Sequence, residues 1–369
     1  MNMVIGFLVA CLLTVIVVRL LYPLALKLEW IDRPDGVRKR HDGEIPLIGG
    51  PSIILGFLCA VLIMGLITRL EFPIWSIWLI AVLILAMVGG LDDFSHRATP
   101  TLRALAQVVA ALIAAWGAGI VLQTLGNLWG DGPVRTGLWA VPFTVLSFVG
   151  VTNSFNLLDG VDGLAGLVAL APLFWIILFA LGTGRPALAE TLLLLAGSIS
   201  AFLGFNFDHG LRRRRIFLGS IGATFIGFTL AWILVRLSQA GHHPLPPIAA
   251  VWIMGFPILD TVNVMVRRII RLRHPLYGGR DHLHHFWLHR GRSERWIAII
   301  EAAATLILGG VGYLGWLTGL PGNVLSLGFI GLAVIYFAGF EILDHRYQWA
   351  EFPMRGRISA KIRGEGDLQ

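Results

Sequence analysis

Cysteine is nearly absent: the 369 residues hold two, and both, Cys11 and Cys59, lie inside apolar runs with no pairing pattern. That excludes a disulfide scaffold and a thiolate metal site as organising devices. Charge is scarce too, with Asp, Glu, Lys and Arg making 14% of the chain against about 25% in an average soluble domain. A chain so poor in charge and 56% hydrophobic does not fit a soluble domain and reads as a polytopic membrane protein. No repeat of fixed period and no low-complexity tract is present, which argues against a repeat-built transporter. The first apolar segment, about Met3 to Tyr22, lacks a basic start and an A-x-A-like cleavage site, so a retained helix is expected there. The net charge of +7 sits in short loops between apolar runs, where lipid headgroups, topology and anionic substrates account for it. Nucleic acid is not an expected partner.

Spanning the hydrocarbon takes about 20 apolar residues, and punctuating the chain at its Gly, Pro and charge clusters predicts about eleven such helices. Their expected bounds are 3–23, 46–68, 74–91, 102–123, 137–153, 164–182, 187–206, 217–238, 248–265, 295–316 and 323–342. The fold class is therefore all-α, a single transmembrane helical domain over 1–342 followed by a basic tail over 343–369. The intervening loops divide into two sets. One carries the Arg and Lys residues, among them Arg38 to Arg40, Arg212 to Arg215 and Arg267 to Arg290; the other is short, rich in Gly and Pro, and poor in positive charge. The positive-inside rule makes the first set cytoplasmic, with the amino terminus outside and the carboxyl terminus inside. The clusters at Asp92-Asp93, Asn156 to Asp162, Asp260 and His282 to His285 all fall on that same face. Solvating residues scattered at random would not sort in this way.

Four clusters carry chemistry. Asp92-Asp93 closes an apolar segment, and one member of such a pair is normally held ionised by a cation or else protonated; a helix end facing water is the plain alternative. The run Asn153 to Gly163 sets Asn156, Asp159 and Asp162 among glycines at the hydrocarbon edge, a set of hard oxygen donors suited to Mg²⁺ or Mn²⁺. Phe217-Leu218-Gly219-Ser220-Ile221-Gly222-Ala223 opens a helix with small residues, which serves either an anion at free amides or close helix packing. Arg280-Asp281-His282-Leu283-His284-His285 gathers guanidinium and imidazole in one loop, a grip for a diphosphate ahead of a metal site. Asp260, in Pro257-Ile258-Leu259-Asp260, either pairs with Arg267 or Arg268 or belongs to the site. An inner-face site with paired acids, oxygen donors and a His/Arg loop points to a phosphate-bearing substrate handled at the membrane. A transporter, the rival class, would place its acids near mid-span.

These motifs resemble those of the polyprenyl-phosphate N-acetylhexosamine-1-phosphate transferases, in the WecA-like branch related to MraY. The likeness covers nearly the whole chain. It runs through Arg38 to Gly50, Leu91-Asp92-Asp93, Asn153-x-x-Asn156-x-x-Asp159-Gly-x-Asp162-Gly-Leu, Pro257 to Asp260, and Arg280-x-His282-Leu283-His284-His285. The resemblance implies transfer of N-acetylhexosamine-1-phosphate from a UDP-sugar to undecaprenyl phosphate, releasing UMP with Mg²⁺ or Mn²⁺. It implies a multi-pass protein of the bacterial inner membrane that starts a lipid-linked glycan such as lipopolysaccharide, with oligomeric state open, a homodimer included. By the same resemblance Asp92, Asp93 and Asp159 are catalytic, with Asp92 acting on or positioning the lipid phosphate and Arg103 holding it. Asn156 and Asp159 face metal and diphosphate, Asp162 and Phe217 the uracil, and Arg280, His282, His284 and His285 the diphosphate and sugar; Lys39, His41 and Asn153 also bind substrate. One position departs. The family's metal-binding Asp at the start of the eighth helix is Ser220 here, which implies that the remaining donors suffice, that the metal is held weakly, or that the chain is a weak or inactive relative.

Overall fold

The computed structural model describes residues 2–33, 43–67, 75–95, 97–207, 215–239, 244–273 and 279–347. The chain runs through α1 (Asn2–Lys27), α2 (Gly49–Gly65), α3 (Trp75–Ser95), α4 (Pro100–Leu112), α5 (Ala140–Leu158), α6 (Leu164–Gly182) and α7 (Pro186–Asn206). It continues through α8 (Gly219–Gln239), α9 (Pro247–Ile253), α10 (Gly255–Ile270), α11 (Leu283–His289), α12 (Glu294–Leu317) and α13 (Gly322–Tyr347). Two short strands, β1 (Ile31–Asp32) and β2 (Ile45–Pro46), pair antiparallel. The fold is all-α and polytopic.

Among the described residues nine helices are long and apolar enough to cross a bilayer, and α9 with α10, bent by 87°, forms either a broken tenth span or a re-entrant loop. That break corrects the single expected span 248–265. Within the expected span 46–68 the helix is shorter: α2 has 17 residues, about 25 Å at 1.5 Å per residue and at the lower limit of what crosses a bilayer. Helix does not persist to 123; α4 passes into a π-helical turn, Ile113–Gly117, and then stops. At other ends helix runs further than expected. α3 continues to Ser95, so Asp92 and Asp93 lie in its last turn, and α13 continues to Tyr347, so the domain boundary set at 342/343 falls inside a helix.

α8 is the axis of the bundle, buried over 89% of its apolar window, whereas α1 and α13 bury 22% and 17% of theirs and turn the rest outward. Lipid tails are as apolar as Leu, so helices here gain nothing by hiding from lipid and associate by close packing instead. Small residues permit it. A Cβ added at Gly227 would lie 2.8 Å from the Thr152 Cα of α5, and one at Gly56 would lie 2.1 Å from the Thr14 hydroxyl of α1. The consequence is a fixed α5–α8 contact that brings the carboxyl end of α5 beside the amino end of α8.

Candidate active site

The start of α8 has orphan amides, as every helix start does, and a side chain from α3 takes two of them. Asp93 of α3 accepts from the Ser220 N–H at 2.8 Å and from the Ile221 N–H at 3.1 Å. Asp159, just past α5, faces the Gly219 amide electrostatically. Two successive amides are thus held by one carboxylate, with a second close by, and their charge also suits the positive end of the helix dipole. The anion cradle is filled by the protein itself. Close packing accounts for the small residues as well: a Cβ at Gly50 would lie 2.3 Å from the Gly222 nitrogen, and one at Gly89 2.9 Å from the Ile221 nitrogen. The segment after β2 is laced to the same place, with Gly49 and Gly50 donating to the Phe217 and Leu218 carbonyls at 2.8 and 2.9 Å.

Asp92 faces the other way. Its carboxylate receives Arg103 of α4 at 2.9 Å and the Ser220 hydroxyl at 2.6 Å. Arg103 is placed by the α4 start, where Thr99 caps the Leu102 N–H and Pro100 follows at the first helical position. Ser220, in the position where the resemblance has Asp, therefore lies between Asp92 and Asp93. Asp162 pairs with Arg215, whose guanidinium stacks 5.3 Å above the Phe217 ring. Arg215 was expected as one of four topology-setting arginines; the structure makes it the link between Asp162 and Phe217. Asn206 escaped sequence reading altogether. It accepts from the Gly163 N–H at 2.6 Å and donates to the Ile216 carbonyl at 3.0 Å, pinning the α5–α6 turn to the strand of chain that leads into α8. An amide at the end of an apolar helix was the available signal.

Burial of the carboxyl, followed by the charges of Asp93 and Asp162, pushes the Asp159 carboxyl well above the usual carboxylate range against the pull of the Gly219 amide. Asn156, one turn earlier in α5, is partly exposed beside it in sequence, as is Asn153. A carboxyl crowded by other acids is one that a bound cation would favour ionising, and Mg²⁺ is commonly held by one or two carboxylates plus substrate phosphates. The donor set fits that ion, although among the described residues no three His, Cys, Asp or Glu side chains form a ready cage.

The histidine tract closes on the same turn. His284 is buried with neither ring nitrogen partnered, and its Nε2 lies 3.5 Å from where a Cβ on Gly160 would stand. His285 packs on it at 4.2 Å and His282 stacks parallel at 5.5 Å. In all, four buried ring nitrogens of the three histidines lack partners. Burial first, then the neighbouring histidines, hold His284 well below the usual histidine value. Burial and the charges of His282 and Arg280 lower His285 to about 3. Arg280 itself is exposed. Of the two readings of Asp260, pairing with Arg267 or Arg268 is not seen among the described residues. Asp260 holds His282 Nδ1 at 2.7 Å; Arg267 reaches Glu341 and Asp344 of α13, and Arg268 binds Asp281. Burial would raise the Asp281 carboxyl, but the hydrogen bonds and charge of Arg268 prevail and lower it. Lys39 and His41 lie outside the described residues.

A family model described as glycosyl transferase family 4 matches residues 75–238, the stretch from α3 to α8 that holds the acids. The chain is 30% identical to the undecaprenyl-phosphate alpha-N-acetylglucosaminyl 1-phosphate transferase of Yersinia pestis over 313 residues, 85% of this chain and 84% of that one. It is 32% identical to the protein of the same name from Salmonella typhi over 304 residues, 82% and 80% of the two chains. The Haemophilus influenzae protein of that name is 30% identical over 350 residues, 95% of each.

Proposed function

Because the chain belongs to the family of undecaprenyl-phosphate alpha-N-acetylglucosaminyl 1-phosphate transferases, a family of glycosyl-1-phosphate transferases, we propose that it moves N-acetylhexosamine-1-phosphate from a UDP-sugar to undecaprenyl phosphate at the cytoplasmic face of a bacterial inner membrane. UMP is released, and the lipid-linked product begins an envelope glycan. The observation that carries this reading is the meeting of two unlike groups at the α5–α6 turn. Acids from α3 and α5 gather at the α8 start, and unpartnered imidazoles lie against Gly160.

In this reaction an oxygen of the lipid phosphate attacks the β-phosphorus of the UDP-sugar, and the bond from that phosphorus to the bridging oxygen breaks, leaving UMP. The transition state spreads negative charge over phosphoryl oxygens, so positioning and electrostatics supply most of the catalysis. Arg103 draws the lipid phosphate to Asp92, which orients it; a phosphate already largely ionised needs no strong base. Asp93, with both oxygens on main-chain amides, acts by fixing the α8 start. Asp162, Arg215 and Phe217 form a wall with a stacking face for uracil. His282, His284, His285 and Arg280 take the diphosphate and sugar. Asp159 and Asn156 would hold Mg²⁺, and the bound ion would offset charge developing on the transferred phosphoryl group.

The test is UMP release from UDP-N-acetylglucosamine and undecaprenyl phosphate with Mg²⁺, in the unmodified chain and in Ser220→Asp. Release by the unmodified chain supports the reading, and release only by Ser220→Asp would make the chain a metal-weakened transferase. Silence from both sinks it. A second readout needs no turnover. Ser220 Oγ lies 2.6 Å from Asp92, so a carboxylate there destabilises the cation-free protein by roughly 1–3 kcal/mol through like-charge repulsion. Millimolar Mg²⁺ should reverse the loss in thermal melts and raise the variant's Tm more than that of the unmodified chain.

A further inference from the structure

Of the three histidines in the tract, His282 has its ring set by the protein. Asp260, 1% exposed on α10, is held by three donors: His282 Nδ1 at 2.7 Å, the Leu283 N–H at 3.2 Å, and the hydroxyl of Tyr336 on α13 at 2.9 Å. Glu301 of α12 faces both Asp260 and Tyr336 electrostatically and Arg267 of α10 faces Tyr336, and both are nearly fully buried. A carboxylate accepts, so His282 Nδ1 carries a proton and its other nitrogen is what remains for a ligand. That nitrogen, Nε2, is buried and has no partner. The ring plane lies within 11° of that of His284, which in turn approaches the Gly160 turn and its acids. A line of contact thus runs from α13 through α10 to the place where the acids and imidazoles meet.

We propose that Tyr336 is a positioning residue for the transfer: its hydroxyl holds Asp260, Asp260 holds the Nδ1 side of His282, and Nε2 is thereby the atom presented to the sugar diphosphate. The proposal rests on the function given above for its substrate. Nothing in the motifs of the chain marks Tyr336, which stands among apolar residues of the last helix, 54 positions beyond His282 by their numbers. Tertiary packing alone joins them. A buried carboxylate deprived of one of three donors is freer to turn, and the imidazole it steers is then free to move its proton to Nε2.

The experiment uses the full chain, labelled with ¹⁵N-histidine and placed in lipid nanodiscs, with the His282 side-chain resonances identified by their loss in His282→Gln. The unmodified protein should show His282 protonated at Nδ1. Tyr336→Phe should show a mixture of ring states and a kcat for UMP release lower by about 10-fold, the effect of one hydrogen bond to a charged acceptor, with KM for the UDP-sugar within about 2-fold. Asp260→Asn should shift the ring further and cost on the order of 100-fold or more, because an amide no longer dictates which nitrogen is protonated. Tyr313→Phe is the control: that ring packs on Trp175 and Trp316 of α6 and α12, and both readouts should stay put. Unchanged His282 signals in Tyr336→Phe overturn the proposal, whether or not kcat falls. If the unmodified chain releases no UMP, the functional reading fails, while the resonances still decide whether Tyr336 sets the ring.

Discussion

The α8 start and the histidine tract sit at one end of the bundle, yet they handle polar valence in opposite ways. At the α8 start the amides of Ser220 and Ile221 are matched with a carboxylate inside the protein, and four glycines let main chains touch. In the tract, four buried ring nitrogens are left unmatched. A buried polar group without a partner costs about 1–3 kcal/mol. A protein that satisfies one half of its site and not the other separates the parts that hold the fold from the parts kept for a ligand. The two halves should therefore answer mutation differently.

The largest effect is expected from Asp93→Ala. It leaves the Ser220 and Ile221 amides orphaned in a buried place and should cost roughly 3 kcal/mol of stability, seen as a clear fall in Tm and in yield. A melt within a degree or two of the unmodified chain would break the comparison, because the α8 cap would then be dispensable. His284→Gln should do the reverse. UMP release is expected to fall on the order of 100-fold, as for loss of a directly contacting group, while stability moves by under about 1 kcal/mol, since His284 has no hydrogen-bond partner to orphan.

The same contrast has a pH signature. His285 titrates at about 3 in the folded chain against an ordinary 6.5, and His284 shifts the same way. Between those values the unfolded chain binds more protons than the folded one. Stability is thus fully present above pH 6.5 and falls as pH drops below it, by up to about 1.4 kcal/mol per pH unit for each histidine. Melts of the ligand-free protein between pH 7.5 and 5 should show that slope, and His284→Gln should roughly halve it, leaving the share of His285; a flat profile in the unmodified chain would place the rings in water.

The smallest effect belongs to Glu301, which is 1% exposed within α12 and has neither oxygen partnered. Glu301→Leu removes that unmatched carboxyl and should raise stability by about 1 kcal/mol. A lower Tm would show that the acid has a partner of its own, such as bound water.

How much of this was legible beforehand depends on the residue. Asp92, Asp159, Asp162 and the tract from Arg280 to His285 stood out because charge and imidazole are conspicuous in a chain with 14% charge. Asn206 and Arg215 did not, the first because one amide in an apolar helix carries no pattern, the second because it stood in a run of arginines that topology explained. The break between α9 and α10 and the early end of α4 were hidden for a related reason. Apolar content tells where hydrocarbon is tolerated, and both halves of a bent pair are equally apolar.

By itself, then, the sequence determined the all-α membrane architecture, the approximate location of its helices and the grouping of its acids and histidines, because hydrocarbon imposes length and composition on any segment that crosses it. Only the tertiary structure decided which of those polar groups spend their valence on the fold. Asp93 and Asp92 are neighbours in sequence, but one faces the α8 amides and the other Arg103; Asp260 turned from the arginines of its own helix to His282 and Tyr336. Such choices rest on directions and distances between helices far apart in the chain, and a linear order of residues contains neither.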